Sequence, residues 1–275
     1  MKTCRFPTVQ GNLRCICLVL VALMFLITGA GRHGLSAEDC QVSAVQGGAT
    51  FPVSRLSASS RCEISEVVNG YTTIGVIGPV QAPITKRLYT HLLDRPVIMA
   101  LLVRQLGLGA YQVSERGHNR YWVDDGEGTR GLLSVAYRDD MSRIYQMDGH
   151  HEGRIFPLVR AKAVVFMSIQ PTLTTQGGAA VESLLVAYIR LHDPVLAALV
   201  WVLRPLIGDA VTGILVKGFG VTDQLARHIA QDPDGVAHRA ASLSALDPKD
   251  LSSLTALLRD IPRHSAAAQP SRPTP

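Results

Sequence analysis

The sequence predicts an α+β protein: a first strand, two short helices, a run of antiparallel strands and one long apolar helix. Three observations carry this. β-Branched residues cluster in 66–77 and stop at Gly78-Pro79, a strand pattern. Six further extended segments lie between 110 and 191, separated by short turns rich in Gly, Asp and Asn, which is how an antiparallel meander reads. From Leu196 to Ile229, apolar residues recur at helical spacing.

The chain opens with a targeting segment. Lys2, Arg5 and Arg14 precede an uncharged apolar run, residues 15–30. A membrane span needs about 20 residues, so this shorter run fits a secretory signal with small-residue cut sites after Ala30 or Ala37. An uncleaved single-pass anchor is the alternative. In both cases the basic flank places residues 38–275 on the far side of the membrane. Residues 1–37 are read as signal peptide or N-terminal anchor, and the protein as exported, in the periplasm or another extracytoplasmic space. Glu38 and Asp39 precede Cys40 where a lipoprotein cut site needs small residues.

Charge and cysteines follow from the leader. Of the 27 basic residues, Lys2, Arg5, Arg14 and Arg32 lie in it, leaving 23 against 22 acidic ones. A nearly neutral mature chain has no basic stripe for nucleic acid. Apolar residues make up 47% of the sequence, an excess that implies a deep core, a ligand cavity or a membrane-facing surface. Cys40 and Cys62 are the two cysteines beyond the leader, and an even pair in an oxidising compartment reads as one disulfide. No His stands nearby at ligand spacing, so no metal is expected.

Residues 38–62, rich in Ser, Gly, Ala and Gln, read as an irregular extension pinned by that disulfide. The strand at 66–77 opens the domain proper, 63–232. Residues 83–106 are helical, with Ile84, Leu88 and Leu92 four apart, and Asp94-Arg95-Pro96 splits them in two. The extended segments are 110–115, 120–124, 132–138, 143–148, 158–169 and 181–191. Asp193-Pro194 opens the long helix, Pro205 kinks it and Asp232-Pro233 ends it. Residues 233–262 form a linker and an accessory helix starting at Asp247-Pro248. Residues 263–275, rich in Pro, Ser and Ala, read as a disordered tail.

Two motif matches dissolve on inspection. Gly126-Glu127-Gly128-Thr129-Arg130-Gly131 has dinucleotide-site spacing, but strands flank it on both sides where a helix should follow, so a hairpin turn is expected and no nucleotide. His151-Glu152 begins a zinc-helix motif, but Ile155 stands where the second His belongs. His150 and His151 are neighbours on a strand and point to opposite faces. No catalytic constellation is discernible, and no cofactor is implied.

The element order, with segments such as YWVDDGEGTRG, SRIYQMDGHHEG and VAYIRLHDPVLAALV, resembles the START-like (SRPBCC) superfamily over about residues 63–231. The resemblance implies a helix-grip fold, in which a curved antiparallel sheet wraps the C-terminal helix around an apolar cavity. It also implies a binding or transfer protein for a lipid or other apolar small molecule. Membrane-surface contact is a further partner class. Candidate ligand-binding residues are Tyr121, Trp122, Tyr137, Tyr145, Arg160 and Tyr188 on the strands, and Leu199, Leu203, Leu206, Gly213, Ile214 and Gly218 on the long helix. A cyclase- or aromatase-like enzyme using the same cavity is one alternative. A membrane-attached interaction protein without a cavity is the other.

Overall fold

A computed structural model describes residues 40–153, 158–193, 197 and 204–261. Met1–Asp39 and Cys40–Pro275 are separate units, and the described fold belongs to the second. The leader, the predicted helical stretch 194–203 apart from Ala197, and the tail from 262 lie outside the described residues.

The unit begins with a small hairpin, β1 (Val45–Gln46) and β2 (Ala49–Thr50), a 3₁₀ turn at Val53–Arg55 and helix α1 (Ala58–Asn69). Strand β3 (Thr73–Ala82) follows, then helices α2 (Lys86–Leu93) and α3 (Pro96–Gln105). The meander is β4 (Gln112–Glu115), β5 (Arg120–Asp124), β6 (Thr129–Arg138), β7 (Ser142–His151), β8 (Val159–Leu173) and β9 (Ala179–Leu191). Three helices close the chain: α4 (Arg204–Gln231), α5 (Pro233–Ala241) and α6 (Pro248–Arg259).

β3 to β9 form one antiparallel sheet in the order β3-β9-β8-β7-β6-β5-β4. Each meander strand pairs with the next, and β9 returns to pair with β3, leaving β3 and β4 as the edges. Paired helices after the first strand and a long helix after the last make this the predicted α+β helix-grip fold. The sheet is curved. Register shifts at Ile77/Val80 and Val135/Tyr137 increase local twist. Gly131 and Gly149 oppose each other on β6 and β7, and a Cβ on Gly131 would come within 2.6 Å of the Asp148 carbonyl oxygen. No larger residue fits that approach, which is how a glycine pair tightens a sheet.

Capping side chains set the helix starts. Ser57 accepts from the Ser60 N–H, Thr85 from Leu88, Asp232 from Gly235 and Asp247 from Lys249. The described part of the predicted irregular extension, residues 40–62, holds the hairpin, the turn and the first part of α1. The predicted strand also starts too early. Residues 66–69 end α1, because Ser57 caps it and Ile64, Val67 and Val68 bury one face at helical spacing.

Each face of the sheet carries a core. On the inner face, α2, α3, the second half of α4 and the last two helices bury Leu88, Leu102, Met167, Leu185, Leu225 and Ile229, among others. On the outer face, the N-terminal hairpin and α1 bury Phe51, Ile64, Ile144, Val164, Phe166 and Val186. The Cys40–Cys62 disulfide, with Cα atoms 4.4 Å apart, ties the start of this outer cover to α1. Among the described residues, no helix is long and apolar enough to cross a membrane.

Candidate functional site

Strand geometry sorts the candidate residues. Successive side chains alternate between faces. Tyr121 pairs with Leu133, Leu133 with Met147 and Met147 with Ala163, so these four share a row. The row lies on the same face as Tyr145 and Val165, which pack against the inner core. Tyr121 and Tyr145 therefore face inward. Trp122, Arg160 and Tyr188 fall on the opposite parity and face outward.

Tyr137 is displaced by the bulge. Unbroken alternation from Leu133 and Val135 would send it inward. The extra residue Ala136 instead sets Tyr137 opposite Ile144 in the outer core. Its hydroxyl donates to Asp139 Oδ2 at 2.9 Å and lies 3.3 Å from Arg55 Nη1. The Tyr188 hydroxyl donates to Gln46 Oε1 at 2.5 Å, beneath the N-terminal hairpin. Both phenols fasten the outer cover to the sheet, so the prediction that they line a ligand cavity is corrected. Trp122 and Arg160 come together elsewhere, in a shallow outer cleft of about 200 Å³ with Asp148, His150 and His192.

The inner face carries apolar residues of two kinds. At one end Met167, Ile169, Val181, Leu185 and Ala187 are buried under the helices. At the other end Leu133, Val135, Met147, Ala163, Val165 and Ile189 are only half-buried, although most stand on the central strands β6 to β8. Their outward neighbours Ile144, Val164 and Phe166 are fully buried. The outer side is thus packed over Ile144, Val164, Phe166 and Val186 and open at Trp122, Ile74 and Val76, while this inner row is half-buried. Helix α4 spans this region: its second half packs on β3 and the inner core, and Lys217 Nζ lies 2.6 Å from both Glu127 oxygens on the β5–β6 turn.

Polar groups converge at one end of this half-buried row. Arg143, 3% exposed, donates from Nε and Nη2 to the two Asp94 oxygens at 3.1 and 3.2 Å. Arg138 approaches the same carboxylate at 4.0 Å. Burial pushes the Tyr145 phenol well up, and the Tyr121 phenol up, and the Asp94 carboxylate adds to both shifts. Deep phenols with raised pKa stay neutral donors. Tyr89 is likewise pushed up to about 12 by burial, its hydroxyl 3.4 Å from Ser183 Oγ. Sequence reasoning missed Asp94 and Arg143. Asp94 was read only as a helix breaker, yet its position between two helices is what lets it drop onto the sheet.

On α4, Gly213 and Gly218 are exposed, and a Cβ on either would meet nothing within 4 Å. Leu199 and Leu203 lie outside the described residues, as do the side chains of Leu206 and Ile214. The turn at 126–131 is a β5–β6 hairpin closed by Asp124 and Asp125 accepting the N–H groups of Gly126, Glu127 and Thr129. His150 faces out and His151 faces in, where its Nδ1 lies 3.0 Å from Thr129 Oγ1. No group of three metal-ligating side chains forms among the described residues.

No family model and no curated protein matches this chain. Solved structures with a partial likeness include a conserved protein from Geobacillus kaustophilus, with 10% identity and a TM-score of 0.39, covering 56% of this chain and 94% of that one. Ara h 8.0201 has 12% identity and a TM-score of 0.38, covering 57% and 97%. An uncharacterized protein from Rhizobium leguminosarum has 12% identity and a TM-score of 0.34, covering 57% and 95%. Scores of this size add nothing to the topology, which stands on the chain's own strand order and register.

Proposed function

We propose that this chain is an exported, START-like binding protein that holds a lipid or other apolar small molecule between the inner sheet face and α4. One observation carries the reading: the half-buried apolar row Leu133, Met147 and Ala163 on the inner face of the central strands β6 to β8. Apolar surface left inside a curved sheet is costly unless something covers it. A ligand burying about 300 Å² of apolar area there gains roughly 7 kcal/mol before the cost of association. The Tyr145 and Tyr121 hydroxyls supply donors at the polar end, next to an Asp94–Arg143 pair that neutralises itself. The disulfide supports the extracytoplasmic setting.

The test has two arms. Protein expressed with its leader and recovered from the exported fraction is extracted with organic solvent, and the extract is analysed by mass spectrometry. A stoichiometric apolar molecule is expected. The second arm is Ala163→Leu. In a packed core the added carbons cost ~1–3 kcal/mol. In a ligand hollow they leave the melting temperature unchanged and expel the ligand. An empty extract together with a destabilised Ala163→Leu protein would remove the reading.

A further inference from the structure

We propose that the shallow cleft on the outer face of the sheet is a second binding site, shaped for one sugar ring that carries a carboxylate. The cleft lies beyond the outer cover. Along β8, Phe166 and Val164 are buried with the N-terminal hairpin and α1. Lys162 comes next on the same face, and it and Arg190 of β9 pair with Glu66 of α1 at 3.4 and 3.1 Å. Arg160 is one step further along this face. Strand order then shapes the cleft. Trp122 on β5 forms one bank, and Arg160 on β8 with His192, just past β9, forms the other. The His192 N–H donates to the Arg160 carbonyl at 3.0 Å. Three strand spacings separate β5 from β8, roughly 14 Å between backbones. Between the banks lie β6 and β7, where Gly131 and Gly149 face each other as bare backbone. Asp148 and His150 flank Gly149 with their side chains on the outer face. The space is about 200 Å³. Sites for larger ligands run ~300–1,000 Å³, so this one has room for a single ring.

The lining selects the chemistry. Trp122 is 37% exposed, open for so large an apolar side chain. Its π face is electron-rich, and the C–H groups on one side of a sugar ring carry partial positive charge, so the two stack. The remaining side chains are hydrogen-bonding groups. Asp148 as a carboxylate only accepts, Arg160 only donates, and the imidazoles of His150 and His192 offer both. An apolar ligand would leave all four unmatched. A polyol, whose hydroxyls donate and accept, matches them.

The carboxylate follows from a missing partner. At this end of the outer face Arg130 pairs with Asp124, and Lys162 and Arg190 share Glu66. His150 lies 3.8 Å from Glu152, and His192 lies 4.0 Å from Asp148. Arg160 alone of this group has no acidic partner among the described residues. Its planar guanidinium is the side chain that takes a carboxylate through two parallel hydrogen bonds. A hexuronate stacked on Trp122 with its carboxylate on Arg160 presents its hydroxyls to Asp148 and the two histidines. A free sugar acid and the uronate at the end of a glycan share this chemistry.

The cleft and the row Leu133, Met147 and Ala163 lie on opposite sides of the sheet, so this site does not depend on an apolar ligand. Protein expressed with its leader and recovered from the exported fraction is titrated calorimetrically with glucuronate, methyl glucuronide, glucose, benzoate and inorganic phosphate. At least one of the two uronates should bind with a Kd of about 1 mM or tighter, and about tenfold more tightly than the other three. Binding of methyl glucuronide marks a glycan end as the source, and binding of glucuronate alone marks the free sugar acid. Arg160→Gln and Trp122→Thr, the latter keeping a strand-forming residue, should each weaken uronate binding by about tenfold or more. Melting temperature and the load of co-purified apolar ligand should not change. Should Trp122→Thr lose stability, Arg160→Gln decides alone, because Arg160 is exposed. Wild-type protein that binds neither uronate, or an Arg160→Gln protein that binds as wild type does, would overturn the proposal. So would glucose, benzoate or phosphate bound as tightly as the uronates. An empty organic extract would instead remove the carrier reading and leave this site in place.

Discussion

Ile144 and Tyr145 are neighbours on β7 and serve opposite sides of the sheet: Ile144 is fully buried in the outer core, and Tyr145 packs against the inner one. No described side chain pairs with the Tyr145 hydroxyl, although burial pushes its pKa well up. Tyr145→Phe should therefore leave the melting temperature unchanged or raise it slightly, since it removes an unpaired donor. Ligand retention should weaken about two- to tenfold, the worth of one hydrogen bond. Thermal unfolding and quantitative mass spectrometry of the co-purified ligand check the two halves. A clear loss of stability would make Tyr145 ordinary core.

The order of elements is legible in the sequence because it rests on local signals. The Gly-, Asp- and Asn-bearing turns and the Asp94-Arg95-Pro96 break mark ends wherever tertiary contacts lie. Faces are not legible in the same way. β9, AAVESLLVAYIRL, is apolar on both parities because both its sides are covered, so alternation cannot say which side meets a cavity. Tyr137 was misplaced by a single-residue bulge, which reverses every later side chain on its strand. The end of α1, residues 66–69, was read as strand because Val67 and Val68 are β-branched, and packing overrode their propensity.

The Arg143–Asp94 pair makes a second prediction. Arg143 is 3% exposed, and its guanidinium also donates to the Ser142 carbonyl at 2.9 Å and to the Asp139 carbonyl. Asp94→Ala leaves that buried cation without its carboxylate. Removing one partner of such a pair costs 3–5 kcal/mol. The remaining carbonyl bonds and the partial exposure of Asp94 put the expected loss near ~2–3 kcal/mol. The double variant D94L/R143M should recover most of it. Denaturant unfolding of the three proteins checks this, and a double variant as unstable as Asp94→Ala would refute it.

Gly213 and Gly218 should tolerate, and gain from, a side chain. They sit within α4 in open space, with nothing within 4 Å of a Cβ on either. Gly costs ~1 kcal/mol relative to Ala in a helix interior. Gly213→Ala and Gly218→Ala should each raise stability by about 0.5–1 kcal/mol, a shift of a few degrees for a domain of this size. Ligand retention is the informative second measurement. Unchanged retention marks the two glycines as helix surface, and a loss would return them to the site where the sequence placed them.

The last prediction concerns pH. His91 lies in the last turn of α2, with its Nδ1 3.3 Å from Arg95 Nη1. Its Nε2 is buried with no hydrogen-bond partner among the described residues. Burial first, and then the Arg95 charge, hold its pKa below the ordinary 6.5, against the opposing pull of Asp250 and Asp94. The neutral ring suits the geometry, because Nδ1 can then accept from Arg95. Protonation would set two cations side by side. The unfolded chain takes up its proton near 6.5 and the folded chain only at lower pH. Below 6.5 the unfolded state therefore binds more protons, and stability falls as the pH is lowered through the window between the two pKa values. Above 6.5 this contribution is fully present. His91→Gln, which keeps an acceptor for Arg95 but cannot be charged, should flatten the melting-temperature profile between neutral pH and 5 relative to wild type. Parallel profiles for the two proteins would show that His91 ionises alike in both states and that its placement beside Arg95 carries no pH dependence.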